Sequence, residues 1–291
     1  MKTFMSVAML GIALVVGPRA QAPADQRIRL IVQGDDMGVA HGINVATIAA
    51  AERGVLRSAN VIMTGQWVPE AARLLNAHPE IDAGVHLALT SEWTDVKWRP
   101  LTEAPSLVDA HGYFFPTVFP RPGQAPGTSV KEAPLDLGQV ERELRAQITL
   151  ARRLIPHLSY TWEHMGFGAV APEVRAIVQR LTKEFGLVTP GPDHGVSFLR
   201  GVWVRADTGR ERARKLAAAL RDLGPGTYVM VEHAATDSPE MRAFGHPGYE
   251  DVAIDRQAVV DAWTSAEVAA AVAERGIELT TLRQVLAPVS R

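Results

Sequence analysis

Hydrophobic and polar positions along the chain follow two alternating patterns. Short apolar runs rich in β-branched residues, at 28–32, 58–63 and 83–89, are typical of buried strands. Segments with apolar residues every three or four positions, such as 43–54 and 140–155, are typical of helices that bury one face. Because strand-like and helix-like segments follow one another in turn, the pattern predicts βαβ units and a parallel sheet.

The alternation continues through the C-terminal half of the chain. The remaining strands are expected at 158–163, 187–189, 227–232 and 277–280, with 202–205 as a further candidate. The remaining helices are expected at 69–77, 172–185, 211–223, 256–275 and 282–286. About seven parallel strands with a similar number of helices predict an α/β fold, an irregular TIM-like (β/α) barrel. An open doubly wound sheet is the structural alternative.

Two long stretches without a regular period interrupt the alternation, at 90–137 and 234–254. The first is rich in proline and aromatic residues, and only its segment 123–130 has the composition of a merely flexible loop. A loop of this length in a compact domain is usually functional or disordered, and the aromatic residues argue against plain disorder. We therefore expect the first loop to form a lid or a wall of a substrate site.

Residues 1–22 have the pattern of a secretory signal peptide. Lys2 precedes an apolar segment at 4–16, and the small residues at 20–22 (A-Q-A) resemble a cleavage site. The apolar segment is short for a membrane span, so an uncleaved anchor is the lesser alternative. We expect an exported protein, periplasmic or secreted and without stable membrane insertion, in which residues 23–291 form a single barrel domain.

Composition excludes several kinds of chemistry. The chain has no cysteine, which excludes disulfides, thiolate metal ligands and cysteine nucleophiles. A formal net charge of −2 gives no electrostatic case for binding nucleic acid. The chain has no G-x-S-x-G sequence, so a serine hydrolase has no support. The chemistry is therefore sought among carboxylate and imidazole side chains.

Ionisable side chains recur where the predicted strands end. Asp35 and Asp36 follow the first strand, His86 lies in the end of the third, and His164 and His233 each follow a later strand. The carboxyl ends of parallel strands meet on one face, where active sites are built. Two adjacent carboxylates repel each other unless a cation or a proton lies between them. The alternative is that one aspartate simply caps the following helix.

Together these residue types suit a metal-assisted hydrolase. An aspartate with two imidazoles is a usual ligand set for a divalent cation, and it leaves positions for water and substrate. The second carboxylate is then free to act as a base on water activated by the metal. His233 could donate a proton to the leaving group. His246, in the G-H-P-G stretch of the second loop, competes with it for that role.

Three segments, I-V-Q-G-D-D-M-G, G-V-H-L-A-L-T-S-E-W and W-E-H-M-G, resemble the YdjC-like (ChbG/HpnK-type) carbohydrate deacetylases. The resemblance runs in order from about residue 29 to residue 286. It implies a (β/α) barrel-like fold and a divalent cation. It also implies a reaction that hydrolyses the N-acetyl group of acetylated amino sugars such as chitooligosaccharides.

The resemblance also implies roles for individual residues. By position in the matching motifs, Asp35 resembles the general base, and Asp36, His86 and His164 resemble the metal ligands. His233 resembles a histidine near the C-terminal strand, a candidate general acid. Arg256 resembles an arginine that the family places before the last long helix, where it would contribute to binding substrate.

The chain departs from the family pattern at three places. Met37 stands where the family commonly has phenylalanine, and Gly166 replaces the second histidine of an H-x-H sequence. The late His-Pro-Gly of the family is E-H-A-A at His233, while an H-P-G occurs at His246. The strand that precedes it favours His233 for this position. Separately, the T-S-E-W stretch and the aromatic loop that follows it suggest an exported subgroup whose substrate differs from chitooligosaccharides.

Several alternatives stay open at this point. Trp93 and Trp98 could stack on pyranose faces or could be buried anchors of their loop. The ligand set suits Zn, Mg, Mn, Co or Ni. Another amide, an ester or a phosphoester is an alternative substrate, and a non-catalytic glycan-binding protein is an alternative from a different class. The identity of the sugar and the oligomeric state do not follow from the sequence.

Overall fold

The computed structural model describes residues 26–191 and 194–286. The predicted signal peptide at 1–22 lies outside the described residues, so export of the chain stays a prediction. Over the described ranges, no helix is long and apolar enough to cross a membrane.

The described residues form seven β-strands and eight α-helices. The strands are β1 (Ile28–Met37), β2 (Ser58–Val61), β3 (Asp82–Leu87), β4 (Leu158–Glu163), β5 (Val196–Phe198), β6 (Gly226–Glu232) and β7 (Glu278–Leu279). The helices are α1 (His41–Arg53), α2 (Val68–Ala77), α3 (Leu137–Leu154), α4 (Pro172–Glu184), α5 (Gly209–Asp222), α6 (Val252–Trp263), α7 (Ala266–Arg275) and α8 (Leu282–Leu286). Short 3-10 helices lie at Pro105–Leu107, His164–Val170 and Met241–Ala243.

The strands form one parallel sheet with the order β4-β3-β2-β1-β6-β5, and β7 pairs with the start of β1. From β1 the sheet continues to β6 and then returns to β5, so its two edge strands follow each other in the chain. This is the order of a barrel that is open between β4 and β5, whereas a doubly wound sheet would place β5 before β6. The predicted irregular TIM-like barrel is confirmed, as a curled half-barrel with helices around it.

Alternate residues of each strand face opposite sides of the sheet. On the outer side, residues such as Leu30 and Val32 join the main hydrophobic core with the helices. On the inner side, Ile31 belongs to a separate apolar cluster with Tyr160, Val196, Val229 and Leu282. Because Leu282 comes from α8, this helix closes the end of the barrel at which the strands begin, and the end where they finish is left for the polar residues.

Two predicted strands are wrong. Residues 187–189 lie along β4 but make only an isolated bridge, between Val188 and Tyr160, whereas the unpredicted segment 196–198 forms a strand beside β6. Residues 202–205 form no strand because the Asp207 carboxylate accepts a hydrogen bond from the Val204 amide (2.9 Å) and folds this segment into a turn.

The predicted helix at 256–275 is two helices. The first, α6, begins at Val252, inside the predicted loop 234–254, and ends at Trp263. A new helix begins directly afterwards because the Ser265 hydroxyl accepts a hydrogen bond from the Val268 amide and caps α7.

The first long loop, 90–137, is anchored to the barrel rather than free. Trp98, Phe114 and Phe115 are buried beneath it. The buried carboxylate of Glu143, on α3, accepts hydrogen bonds from the backbone amides of Leu101 and Thr102. The loop is therefore held by both apolar packing and charge-assisted hydrogen bonds.

Candidate metal centre and active site

The aspartate pair lies within β1 instead of after it. Asp36 has a φ of +71°, in the left-handed region that non-glycine residues seldom adopt. The pairing of β1 with β2 shifts register between Gly34 and Met37. In a regular strand, successive side chains point to opposite faces. The irregular backbone at Asp36 allows both carboxylates to approach the same histidine, His86.

Three ligand atoms converge at the end of β1. His86 Nε2 lies 3.4 Å from Asp36 Oδ1, His164 Nδ1 lies 3.6 Å from the same oxygen, and the two imidazole nitrogens are 3.2 Å apart. All three side chains are buried. Ligands about 2.1 Å from one ion at tetrahedral angles are about 3.4 Å from each other. These three residues, which the sequence predicted as metal ligands, could therefore hold a divalent cation.

Asp36 is the member of this group that a cation would satisfy. Its Oδ1 atom is buried and has no hydrogen-bond partner among the described residues. Burial alone would raise the pKa of the Asp36 carboxyl, but the nearby side chains of His233, Arg256, His86 and His164 lower it well below its ordinary value. The carboxylate is therefore ionised at neutral pH with one oxygen unsatisfied, as a metal ligand requires.

The other nitrogen of His164 has a partner of its own. Its Nε2 atom lies 2.9 Å from Glu92 Oε2, which orients the ring with Nδ1 toward Asp36. Burial alone would lower the pKa of His164, but Glu92 and then Asp36 raise it to about 9. A carboxylate behind a ligating histidine is a common support of metal sites.

Asp35 is held by two amides. Gln33 Nε2 and Asn60 Nδ2 both donate to its Oδ1 atom, at 2.9 and 2.7 Å. Its Oδ2 atom lies 3.7 Å from His86 Nε2 and accepts no hydrogen bond among the described residues. The buried carboxylate therefore keeps one oxygen free to accept a proton beside the candidate metal ligands.

Two basic side chains, Arg256 and His233, face Asp36. Arg256 Nη2 lies 3.0 Å from Asp36 Oδ2, and the guanidinium is buried against the ring of Trp93, 5.1 Å away. His233 Nε2 lies 3.7 Å from the same oxygen, and 41% of its side chain is exposed. Burial lowers the pKa of His233, with Asp36 opposing that shift. His233 is the histidine of this site that a substrate can reach.

His246, the competing histidine, contacts Trp93 rather than Asp36. Its ring stacks on Trp93 at 5.9 Å, and its Nδ1 atom lies 3.0 Å from the carbonyl oxygen of Pro247. In the described part of the chain, His233 is paired with Asp36 and His246 is not. The geometry favours His233 as the histidine nearest the reacting groups.

The two predicted tryptophans have different surroundings. Both are buried, but part of Trp93 lines the cavity beside Asp35. Trp98 is buried behind His164, and its indole nitrogen donates to the Thr90 carbonyl at 2.9 Å. The position of Trp98 favours the alternative that it anchors its loop.

A cavity of about 580 Å³ opens above these residues. Asp35, His86, His164, His233 and Arg256 lie on its inner side. Its wall includes the aromatic side chains of Trp93, Trp162 and Tyr249. The volume is within the range of roughly 300–1,000 Å³ that is usual for small-molecule sites.

The sequence did not identify three supporting residues, Glu92, Gln33 and Asn60. Each is a polar residue in or beside an apolar strand segment, and buried polar side chains are expected to have a partner. A polar residue among apolar neighbours was the available signal, but it does not say which residue is the partner. The partner of Glu92 is His164, 72 positions away, and Asp35 is the partner of both Gln33 and Asn60, 2 and 25 positions away.

The carboxylates at this site outnumber its permanent positive charges. Asp35, Asp36 and Glu92 bring three carboxylates, whereas Arg256 brings one permanent positive charge. Buried charges are costly unless they are compensated. Metal binding requires neutral imidazoles and would release the proton that His164 otherwise carries, so a divalent cation held by these residues would bring the formal charges of the site to a sum of zero.

The chain is similar to known proteins over most of its length. A family model described as YdjC-like protein matches residues 29–274. The chain is 31% identical over 240 residues to a carbohydrate deacetylase of Thermus thermophilus, across 74% of this chain and 80% of that protein. It is 28% identical over 273 residues to a carbohydrate deacetylase of Geobacillus stearothermophilus, across 87% of this chain and 96% of that one.

A solved structure has the same fold. It is that of a protein of Enterococcus faecalis V583 named provisionally for cellobiose-phosphate cleavage, with a TM-score of 0.71 and 21% identity. The match covers 89% of this chain and 99% of that protein. At this identity, the likeness concerns the fold alone.

Proposed function

Because the chain belongs to the YdjC-like family, we propose that it is a metal-dependent carbohydrate deacetylase that removes N-acetyl groups from an acetylated amino sugar or oligosaccharide. The observation that carries the proposal is the convergence of Asp36, His86 and His164 beside the free oxygen of Asp35, at the inner end of an open cavity. The family match supports the reaction class, and the geometry supports a role for each side chain.

The first step assigned to the chain's own residues is removal of a proton from water. When bound, the divalent cation supplies Lewis acidity that polarises the acetamide carbonyl and makes a neighbouring water more acidic. Asp35 Oδ2 accepts the proton of that water, since Oδ1 is already occupied by Gln33 and Asn60. The water oxygen then bonds to the acetamide carbon.

The second step breaks the carbon–nitrogen bond. His233 donates a proton from Nε2 to the departing amine, so that the products are acetate and a free amino sugar. Burial and neighbouring positive charge lower the pKa of His233, which makes its protonated form a stronger acid. Arg256 would contribute to metal binding, because its contact with Asp36 keeps that carboxylate ionised.

The test is acetate release from acetylated amino-sugar oligomers by purified protein, with Zn, Mg, Mn, Co or Ni and with a chelator. We expect acetate release that the chelator abolishes and that one of these metals restores. Release from ester or phosphoester substrates alone would move the activity to another hydrolase class. Protein that binds oligomers but contains no metal and releases no acetate would be a glycan-binding protein, and the proposal would be refuted.

A further inference from the structure

The two long loops of the chain form a groove beside the active-site cavity. Residues 94–97 of the first loop and 242–247 of the second line this inter-loop groove, and the Thr94 amide joins the loops by donating to the Gly245 carbonyl at 2.9 Å. Two cavities, of about 410 and 220 Å³, follow one another along it and share Ala243 and Phe244. His246 lines both the groove and the active-site cavity, so the groove begins where that cavity ends.

The far end of the inter-loop groove is formed by Trp67, in the loop between β2 and α2. Although it is a large aromatic residue, 39% of Trp67 is exposed. Gln66, next to it, is also exposed and makes no hydrogen bond to any residue that the structure describes. Because this loop follows the carboxyl end of β2, Trp67 lies at the same end of the barrel as the candidate metal ligands. The proposed chemistry uses neither residue.

Trp67 is held in position by its surroundings. Its backbone amide donates to the Gly38 carbonyl at 2.8 Å. A Cβ at Gly65 would lie 2.1 Å from the same carbonyl oxygen, so only glycine allows the loop to approach β1 this closely. The ring of His41, which is hydrogen-bonded to Glu70 at 3.0 Å, lies 5.3 Å from the indole. A ligand that packs on the exposed part of Trp67 therefore orders little of the protein when it binds.

The polar groups along the groove carry charges of both signs. Lys97 Nζ donates one hydrogen bond, to the Ser91 carbonyl at 2.8 Å, and keeps its other N–H groups. The Glu240 carboxylate accepts from two backbone amides at the start of α1, and Asp95 is exposed. Sugar hydroxyl groups both donate and accept hydrogen bonds, and an aromatic ring packs well on the apolar face of a pyranose. This combination suits a neutral carbohydrate.

On the premise of the proposed deacetylase function, we infer that the inter-loop groove binds further units of a neutral acetylated amino-sugar chain whose reacting unit lies in the active-site cavity. The occupant follows from continuity, because a chain that leaves that cavity past His246 enters the groove and reaches Trp67 at its far end. Trp67 is the aromatic platform for a distant unit. Since the groove adds two cavities beyond the reacting unit, the preferred substrate is longer than a disaccharide.

The experiment compares a neutral acetylated amino-sugar disaccharide with the corresponding hexasaccharide, using metal-loaded protein. The length preference is the ratio of kcat/KM for the hexasaccharide to that for the disaccharide. We expect this ratio to favour the hexasaccharide, mainly through a lower KM. Part of any ratio reflects the larger number of acetamides in the longer chain, so the decisive quantity is how the ratio changes in variants.

Trp67→Ala should lower the length preference about three- to tenfold, because it removes the platform for the distant unit. Trp67→Phe keeps an aromatic ring and should retain part of the preference, and Gln66→Ala should lower it about twofold. Leu137→Ala is the matched control. Leu137 is similarly exposed, at 41%, but lines neither the groove nor the active-site cavity, so its ratio should equal that of the parent protein.

Calorimetry measures the same preference without turnover. The Asp35→Asn protein leaves the oligomers intact, and in this background Trp67→Ala should weaken hexasaccharide binding about three- to tenfold relative to disaccharide binding. An unchanged length preference in Trp67→Ala, or equal losses for both lengths, would overturn the inference and leave the deacetylase function intact. Absence of acetate release from both oligomers would instead refute the proposed function. The calorimetric comparison then decides the inference: a length-dependent loss supports it, and equal binding of the two lengths overturns it.

Discussion

The two ends of the barrel each contain a buried carboxylate, and the two carboxylates differ in how they are satisfied. At the closed end, Asp82 accepts hydrogen bonds from the Ser159 hydroxyl and the Arg283 amide, and burial raises its pKa. At the open end, Asp36 has a strongly lowered pKa, cationic neighbours and an oxygen without a hydrogen bond. Burial alone therefore does not identify a functional carboxylate.

Asp36 differs from Asp82 because basic side chains nearby stabilise its negative charge, whereas one of its oxygens accepts no hydrogen bond from the described residues. Asp82 is held by hydrogen-bond donors from β4 and α8, so its function is to join those elements. Asp36 faces two imidazole nitrogens that are themselves suited to ligate a cation. An unsatisfied buried oxygen beside such nitrogens is the arrangement that a bound cation would complete.

Asp36→Asn is expected to have the largest effect of the variants that test this contrast. Loss of the charge removes one of three ligands, so we expect the protein to purify without metal and acetate release to fall at least about 1,000-fold. Metal content by mass spectrometry and an acetate assay measure the two effects. Asp82→Asn is the control, and it should keep its metal and its activity at a lower melting temperature. Loss of metal in both variants would remove the distinction between the two ends.

Asp35→Asn separates the neighbouring aspartates from each other. Asparagine retains the shape of the side chain but cannot take up a proton, so we expect kcat to fall about 100- to 1,000-fold with metal affinity nearly unchanged. Calorimetric metal titration and acetate release are measured on the same preparation. If the variant keeps full activity, Asp35 is not the base.

Part of this contrast could be predicted from the sequence. Apolar periodicity predicted the barrel, and Asp35, Asp36, His86 and His164 were predicted as one site because the ends of parallel strands converge. The positive φ of Asp36 has no local signal, since it depends on pairing with β2. The contact of Glu92 with His164 depends on the path of a long loop.

The wrong strand at 187–189 has a similar cause. Both 187–189 and 196–198 are short segments containing apolar residues, and either could form a strand on local preference alone. The segment 196–198 forms three paired positions with β6, whereas 187–189 makes a single bridge to β4, so pairing across the barrel decides which of them is a strand. The break between α6 and α7 likewise depends on Ser265, a residue that is also acceptable inside a helix.

Glu92→Gln tests the support of the open end. Glutamine can still accept a hydrogen bond from His164 but no longer provides the negative charge that strengthens the imidazole as a ligand. We expect metal affinity to fall about 10- to 100-fold, with activity restored at high metal concentration. Competition with a chromophoric chelator gives the affinity. Glu163→Gln, next to His164 in the chain, is the control, and an equal loss there would indicate a general charge effect.

Glu232→Gln gives the smallest expected effect and shows what burial does to a carboxylate that is not itself a candidate metal ligand. Glu232 ends β6, and burial raises its pKa from 4.5 to about 7, partly opposed by Arg212. Because the native state favours the protonated acid, the carboxyl destabilises the fold progressively as the pH rises from about 4.5 to about 7. Below that range both states are protonated and the penalty vanishes.

Glutamine stays neutral at every pH, so the variant should gain stability relative to the parent protein as the pH rises. We expect the difference in unfolding free energy to move in its favour by about 1–3 kcal/mol between pH 4.5 and pH 8. Urea denaturation of the metal-free proteins at the two pH values measures it. A difference that does not change with pH would mean that Glu232 ionises freely in the native barrel, and that burial at this strand end is relieved by water.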